Sequence, residues 1–437
     1  MKKSTKNAHF IGIGGIGMSA LAQWYKRDGW QVTGSDGDQS IITDSLKKSG
    51  IKVSIATENS KMIDAKTDLI VYSNAVPADH PERVKASAFG VTELSYPQAL
   101  GQLTKSKKTI AVSGTHGKST TTAMAALILI EAGFDPTVII GTRIPQLRNN
   151  NFRFGKSEWL VIEADEYKEA FLNYSPYLAV ATNVEADHLD YYKGYTHVKN
   201  SFKKFFGKIK KGGYFVANAK DVFLKEVLPK SGVKKVLFSI NSKRAERLAG
   251  IIRVPGRHNL ANALAADAVA ECLKIKVQIR NRALKNFKGT WRRFEYKGTF
   301  QSAKVYDDYA HHPTEIKAVL QAARELYPTE TIWCVHQPHH TSRLQNLFSD
   351  FVGSFDEADK VIILETYKVK GRENEEANPK RSAQALAKMI SKEKAALYAA
   401  TQDDVINILR GGVQKNDIVL ITGAGDITDV AHKLTKR

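Results

Sequence analysis

Two short glycine-rich segments restrict this chain more than any other feature. Each follows a β-type run and opens a helical one. Gly12-Ile13-Gly14-Gly15-Ile16-Gly17 lies between a strand pattern, His9 to Ile13, and a helical pattern, Gly15 to Asp28. Gly114-Thr115-His116-Gly117-Lys118-Ser119-Thr120 lies between Thr109 to Ser113 and Lys118 to Ala132. A strand that turns through glycines into a helix begins a crossover, because no tight hairpin can reach a parallel neighbour. The same alternation runs on through strand patterns at Gln31 to Gly34, Leu69 to Ser73, Trp159 to Glu163, Leu178 to Asn183 and Gly213 to Asn218. It resumes at Lys304 to Asp307, Thr331 to Val335, Lys360 to Leu364 and Asp417 to Ile421. The predicted fold class is α/β, with parallel sheets and crossover helices.

At 437 residues the chain is too long for one ordinary core. The polar stretch Lys105 to Lys108 precedes a new strand, and another unit starts near Thr290. The expected domains are 1–107, 108–289 and 290–437. No segment approaches the roughly eighteen apolar residues of a membrane span. The basic start, Met1 to His9, leads into a strand pattern, unlike a signal peptide. Cys272 and Cys334 stand far apart in apolar settings, which suggests two buried thiols. A cytoplasmic protein without a membrane partner is expected.

Sixty-five basic residues against 45 acidic ones leave a net charge of +20, which favours anionic partners. The excess is scattered lysine. There is no basic stripe interleaved with aromatics and no nucleic-acid motif. Nucleic acid is therefore not the expected partner, and phosphate-bearing small molecules are.

The first glycine loop matches G-x-G-x-x-G in its strand-to-helix context. Glycines let backbone N–H groups approach a diphosphate at a helix N-terminus. Taken alone, the pattern indicates a dinucleotide. Asp36, with Ser35 before it, either reads a ribose hydroxyl or only closes the turn Ser35 to Asp38. The second loop is a shortened phosphate cradle, G-x-x-G-K-S, with Val112 where the longer motif has glycine. Its amides and Lys118 would grip phosphates, and the Ser119 hydroxyl would ligate Mg²⁺. Two acidic segments follow later strands, Glu163-Ala164-Asp165-Glu166 and Asn183-Val184-Glu185-Ala186-Asp187-His188. Carboxylates at strand C-termini sit where open α/β sheets bind ligands.

Six separated segments together resemble the Mur ligase family: Gly12–Ser19, Gly114–Thr122, Glu163–Glu166, Thr182–Asp190, Gly256–Ala263 and Asp307–Glu315. The similarity spans nearly the whole chain and is greatest with the family's alanine-adding branch. It implies a Rossmann-like N-terminal domain, a central P-loop-type ATPase domain and a Rossmann-like C-terminal domain. The implied reaction is ATP-dependent ligation of L-alanine to the lactyl carboxylate of UDP-N-acetylmuramate through an acyl phosphate, in peptidoglycan precursor synthesis. A recycling ligase that attaches a tripeptide to the same acceptor is the alternative within the family.

On that resemblance the first loop (Gly14, Gly15, Ile16, Gly17, with Ser35 and Asp36) holds a UDP-sugar rather than a dinucleotide. Gly114, Thr115, His116, Gly117, Lys118, Ser119 and Thr120 hold ATP. Ser119, Glu163 and His188 ligate two Mg²⁺ ions, with Mn²⁺ as a substitute. His258 and Asn262 contact adenine, although Asn259 and Asn262 also suit a plain helix start. Arg293 and Asp307 reach the nucleotide, and Tyr309, His311, His339 and Arg343 shape the acceptor and amino-acid cleft. His311 is the candidate base, although His311 and His312 before Pro313 also suit simple helix capping. A monomer or weak homodimer is expected. The chain departs from the branch at Ser119, where threonine is usual, and at His340, where arginine is usual. Histidine supplies no bidentate fork for a carboxylate.

Overall fold

A computed structural model describes residues 6–56, 60–185, 191–221, 224–227, 232–368 and 378–436. The strands assemble into three sheets. The first holds β1 (Asn7–Ile11), β2 (Gln31–Asp36), β3 (Lys52–Ile55), β4 (Leu69–Tyr72) and β5 (Thr92–Ser95), all parallel, in the order β3-β2-β1-β4-β5. The second holds β6 (Lys108–Ser113), β7 (Thr137–Ile144), β8 (Asn150–Arg153), β9 (Trp159–Glu163), β10 (Leu178–Ala181), β11 (Tyr214–Asn218) and β12 (Lys234–Phe238). Its order is β12-β11-β10-β6-β9-β7-β8, and only the edge strand β8 is antiparallel to its neighbour. The third holds β13 (Glu295–Phe300), β14 (Ala303–Asp308), β15 (Ile332–His336), β16 (Lys360–Leu364), β17 (Ala395–Ala399) and β18 (Ile418–Thr422). Its order is β13-β14-β18-β15-β16-β17, with β13 antiparallel at the edge.

Each glycine loop leaves a strand beside which the connections change direction. β1 lies between β2 and β4, and β6 lies between β9 and β10. At such a switch point the crossovers leave to opposite faces, and a crevice opens beyond the strand ends. The helix after the first loop, Ile16–Arg27, buries Met18, Leu21 and Tyr25, and Lys26 and Arg27 sit at its negative end. The helix after the second loop, Lys118–Glu131, buries residues all round, including Met124, Ile128 and Leu129. A helix apolar on every face is enclosed on every side. The two thiols, Cys272 and Cys334, are free and buried.

By backbone packing the chain divides into two compact units, Met1–Ile252 with Ala261–Lys288, and Arg253–Leu260 with Gly289–Arg437. The first unit contains both the first and second sheets, with one continuous apolar core. Phe10, Leu21 and Leu100 belong to that core together with Ala111, Ile162, Phe171 and Phe205. The helix Tyr96–Ser106 lies directly on the central sheet's side of the unit. A side chain on its Gly101 would bring Cβ to 2.5 Å from the Asn173 carbonyl oxygen. Thr104 Oγ1 accepts a 3.0 Å bond from the Ser175 amide. Nearby, Asn151 of β8 donates to the Ile16 carbonyl and, at 2.8 Å, to Ser19 Oγ. In the second unit, separate apolar clusters cover the two faces of the third sheet, one around Leu320, Phe351 and Leu386 and the other around Val405, Ile427 and Val430.

Aromatic stacking holds the core beneath the central sheet. Phe171 and Phe205 are fully buried and stack at 4.6 Å between centroids. Phe205→Ala should cost about 3–5 kcal/mol. A lowered midpoint for the first unit in chemical denaturation, with the second unit's transition unmoved, is the expected result.

Candidate active site

The second glycine loop is braced from beneath by the end of β10. Thr182 Oγ1 donates to the His116 carbonyl at 2.6 Å, and Asn183 Oδ1 accepts from the His116 amide at 2.9 Å. The Thr115 amide donates to the Asn183 carbonyl at 3.1 Å, and Thr115 Oγ1 accepts from Glu185 N at 2.9 Å. Two glycines make this closeness possible. Gly114 has φ +133°, and a Cβ there would lie 2.0 Å from Thr182 Oγ1. Gly117 has φ +80°, and a Cβ there would lie 2.2 Å from Asn262 Oδ1. The helix starts at Lys118, so its first-turn amides, those of Ser119 and Thr120 among them, have no intrahelical acceptor and face the crevice end.

Lys118 is held at the base of this cradle. Its ammonium donates to the Gly114 carbonyl at 2.6 Å, the Thr115 carbonyl at 3.1 Å and both Glu166 oxygens at 2.9 and 3.0 Å. Burial works against its charge, but Glu166 and Asp165 outweigh burial and push its pKa up. Lys118 therefore stays cationic. In the sequence Glu166 is only one member of an acidic segment, and its place three residues beyond Glu163 is the one signal of this partnership.

Ser119 Oγ donates to Glu163 Oε2 at 3.1 Å, and the Gly141 amide donates to Glu163 Oε1 at 2.7 Å. Burial pushes the Glu163 pKa up, partly offset by those two donors and by Lys118. A hydroxyl and a carboxylate converging beside a phosphate cradle form a hard-oxygen donor set that fits Mg²⁺, which takes one or two protein ligands and completes its shell with water and phosphate. Among the described residues no group of three or more His, Cys, Asp or Glu side chains forms a metal cage. His188 lies outside the described residues. Lys203 and Lys204 are exposed on the helix Tyr195–Phe206.

The first glycine loop differs from a dinucleotide fingerprint in its detail. Asp36 Oδ2 accepts from the Gly14 amide at 2.7 Å, and its Oδ1 accepts from Asp38 N at 3.2 Å. Asp36 thus braces the loop and closes its own turn. Ser35 is buried; its hydroxyl donates to Glu82, and its carbonyl accepts from the Gly12 and Ile13 amides at 2.9 and 3.0 Å. These two residues position the loop from behind. The surface left for an anion is the N-terminus of Ile16–Arg27, where Gly15 supplies no side-chain cap and the first turn carries no acid. Tyr96, which the sequence did not single out, packs on Gly17: a Cβ at Gly17 would lie 2.7 Å from its ring and hydroxyl.

In the second unit Asp307 is fully buried between Arg292 Nε, at 3.2 and 3.3 Å, and the Thr428 hydroxyl at 2.6 Å. Its partner is Arg292, not Arg293, and the pair ties β14 to the start of the unit. Arg293 is partly exposed, 3.8 Å from Glu315, with its guanidinium 5.4 Å from the Tyr309 ring. His312 serves as the cap of Pro313–Leu326, its Nδ1 accepting from Thr314 N. His311 has its Nδ1 3.1 Å from the Tyr309 carbonyl and 3.3 Å from Glu315. Rings of Tyr309, His311, His339 and Tyr367 succeed one another at 5.5–6.0 Å. Arg343 donates to the His339 carbonyl at 3.4 Å. His340 adopts φ +69°, a strained value for a non-glycine residue, as the chain turns from β15 into a helix.

His258 and Asn262 sit one turn apart on the helix Arg257–Cys272, which divides between the two units after Leu260. The Asn262 carboxamide oxygen accepts from Thr121 Oγ1 at 3.2 Å, beneath Gly117. Loss of hydration, reinforced by Arg293, pushes the His258 pKa down to about 4.

With this geometry in view, known proteins bear on it directly. Three family profiles match: the Mur ligase family catalytic domain over residues 7–108, the Mur ligase middle domain over 112–270, and the Mur ligase glutamate ligase domain over 292–425. The chain belongs to the Mur ligase family, a class of ATP-dependent amide-bond-forming ligases, and is built from three α/β domains. It is 38% identical to the UDP-N-acetylmuramate–L-alanine ligase of Acetivibrio thermocellus, over 99% of this chain and 96% of that one. It is 39% identical to the enzyme of that name from Clostridium acetobutylicum, over 98% and 97%. The crystal structure of the UDP-N-acetylmuramate–alanine ligase of Thermotoga maritima superposes with a TM-score of 0.82 at 28% identity, covering 98% of each chain. A murein peptide ligase from Psychrobacter arcticus shares the fold, with a TM-score of 0.70 at 24% identity and 98% coverage of each. No helix among the described residues is long and apolar enough to cross a membrane.

The depressed histidine has a measurable consequence. A histidine whose folded pKa lies below its unfolded value of 6.5 supports the fold fully above 6.5. That support is lost as pH falls from 6.5 through about 4. Burial pushes the Asp308 pKa up to about 6, and its opposite contribution cancels between wild type and a His258 variant. The difference in stability between wild type and His258→Gln, followed by urea denaturation, should be flat above pH 6.5 and should change steadily from there to pH 4.

Proposed function

We propose that this chain joins L-alanine to the lactyl carboxylate of UDP-N-acetylmuramate at the expense of ATP, supplying a peptidoglycan precursor in the cytoplasm. The observation that carries this reading is the pairing of two sites in one compact unit. One is a braced phosphate cradle with Lys118, Ser119 and Glu163; the other is a glycine loop whose uncapped helix start takes a second, diphosphate-bearing molecule. Residues 1–107, 108–289 and 290–437 serve as the acceptor, nucleotide and amino-acid domains. The enzyme works as a monomer or weak homodimer, with neither nucleic acid nor membrane as a partner.

The acceptor carboxylate attacks the γ-phosphorus of ATP, and ADP leaves. The amine of the amino acid then attacks the resulting acyl phosphate, and inorganic phosphate leaves. Ser119 and Glu163 would hold Mg²⁺, with His188 for a second ion, and the metal would supply charge neutralisation for the triphosphate. Mn²⁺ substitutes in the same oxygen-rich setting. The chain's own residues do the positioning. The amides from Gly114 to Thr120 hold the phosphates, and Lys118 exchanges its Glu166 contacts for phosphate oxygens. His258 is uncharged at neutral pH and presents a flat neutral ring to the adenine beside Asn262. Arg293 reaches the nucleotide, while Asp307 acts through Arg292 as a positioning residue. Gly14, Gly15, Ile16 and Gly17 seat the diphosphate, with Ser35 and Asp36 behind them. Tyr309, His339 and Arg343 line the amino-acid side, and His311, oriented by Glu315, takes the proton that the attacking amine loses.

Lys118→Ala should abolish ADP release, to below about 1% of wild type, while calorimetric binding of UDP-N-acetylmuramate stays within about twofold. Full turnover in that variant would remove the cradle from the mechanism. Incubating the wild-type protein with ATP, Mg²⁺ and UDP-N-acetylmuramate should give ADP with L-alanine in preference to L-serine, glycine or a tripeptide. Preference for the tripeptide would assign the chain to acceptor recycling instead.

A further inference from the structure

Tyr96 occupies a position that the functional reading leaves unused. It is the first residue of Tyr96–Ser106, and its place is set from both directions. Before it, the Ser95 amide donates to Gln98 Oε1 at 2.9 Å, and Pro97 stiffens the first turn. Beyond it, Gly101 lies against the Asn173 backbone and Thr104 bonds Ser175, so the helix cannot slide. The ring rests on Gly17, the third glycine of the first loop, where even a methyl group would collide with Cζ and Oη at 2.7 Å. Any side chain at position 17 would push the tyrosine ring out of this place. From the other side the phenol lies within electrostatic reach of Glu163 and Asp165 at the end of β9. No acceptor among the described residues pairs with its hydroxyl.

The neighbouring donors define what that hydroxyl meets. The Gly14 amide is occupied by Asp36 and the Gly15 amide by the Gly12 carbonyl, at 3.2 Å. An anion at this helix start is thus left with the amides from Ile16 onward, directly beside the Tyr96 ring. On the far side stand carboxylates, which repel a second anion unless a neutral donor lies between.

We propose that the Tyr96 hydroxyl is a substrate-contacting group that donates a hydrogen bond to an anionic oxygen of the acceptor, where the diphosphate loop faces the Glu163 carboxylate. The proposal rests on the acceptor being the diphosphate-bearing molecule seated at Gly15–Gly17. A tyrosine hydroxyl is a neutral donor at physiological pH. A neutral donor suits this place because it satisfies an anion without pairing permanently with the adjacent carboxylates, as a lysine would. The anionic oxygen belongs either to the diphosphate or to the carboxylate that reacts.

Tyr96→Phe keeps the ring on Gly17 and removes only the donor. Its KM for UDP-N-acetylmuramate should rise about tenfold to a hundredfold, the range for losing one hydrogen bond to a charged group. KM for ATP and the thermal midpoint should be unchanged. Calorimetry with UDP alone separates the two sources. Weakened UDP binding places the bond on the diphosphate, and unaltered UDP binding with weakened UDP-N-acetylmuramate binding places it on the carboxylate. Wild-type affinity and KM for the acceptor would overturn the proposal, as would an equal rise in KM for ATP, which would signal general displacement of the site. Failure of the wild-type protein to release ADP with this acceptor would instead overturn the reading on which the proposal rests.

Discussion

The ion pair between Lys118 and Glu166 underlies the rest of the second glycine loop. Burying two charges is costly unless their geometry and remaining hydrogen bonds are well satisfied. Here the ammonium finds four acceptors, and the Glu166 side chain is 3% exposed. The Glu166 carbonyl in turn accepts from the Tyr192 hydroxyl. The segment just beyond, with Lys168 and Glu169 at φ +49° and +56°, bends so that Glu166 can turn back toward the loop. The cradle is thus organised before any phosphate arrives. A bound triphosphate would replace one anionic partner of Lys118 with another, so the ammonium stays paired.

The second unit uses the same device for a different end. Arg292 and Asp307 are both buried and anchored, Arg292 to the Gly423 and Gly425 carbonyls and Asp307 to Thr428. This leaves the adjacent Arg293 partly exposed beside Tyr309. A rigid arginine next to a reachable one, both over the same tyrosine ring, fixes the direction in which the reachable one points.

Much of this was legible in the sequence because the strongest signals there are local. The strand patterns at Trp159–Glu163 and Lys360–Leu364 match the structure to the residue, and most others shift by one or two. The convergence of Ser119 with Glu163 follows from two neighbouring parallel strands ending at the same edge. What could not be read depended on three-dimensional partners. Asp36 has the right position for a ribose contact, yet the nearest donor is the Gly14 amide, and no spacing rule reveals that. Asp307 and Asp308 look equivalent in sequence, but one binds an arginine and the other caps the Phe294 and Ala310 amides at 2.7 and 2.8 Å. Tyr96 gave no signal because its importance lies in a glycine far upstream.

The close seating of Tyr96–Ser106 on the Tyr167–Asn173 segment has a consequence for how such chains exchange parts. The polar stretch around Lys107 looks like a natural seam for recombination. A graft made there would carry in a foreign helix that must fit Asn173 and Ser175, and a foreign first helix that must satisfy Asn151. Inheritance of the half that holds the first sheet is therefore tied to that of the half that holds the second, and a viable crossover falls more readily near Lys288, at the limit of the first compact unit.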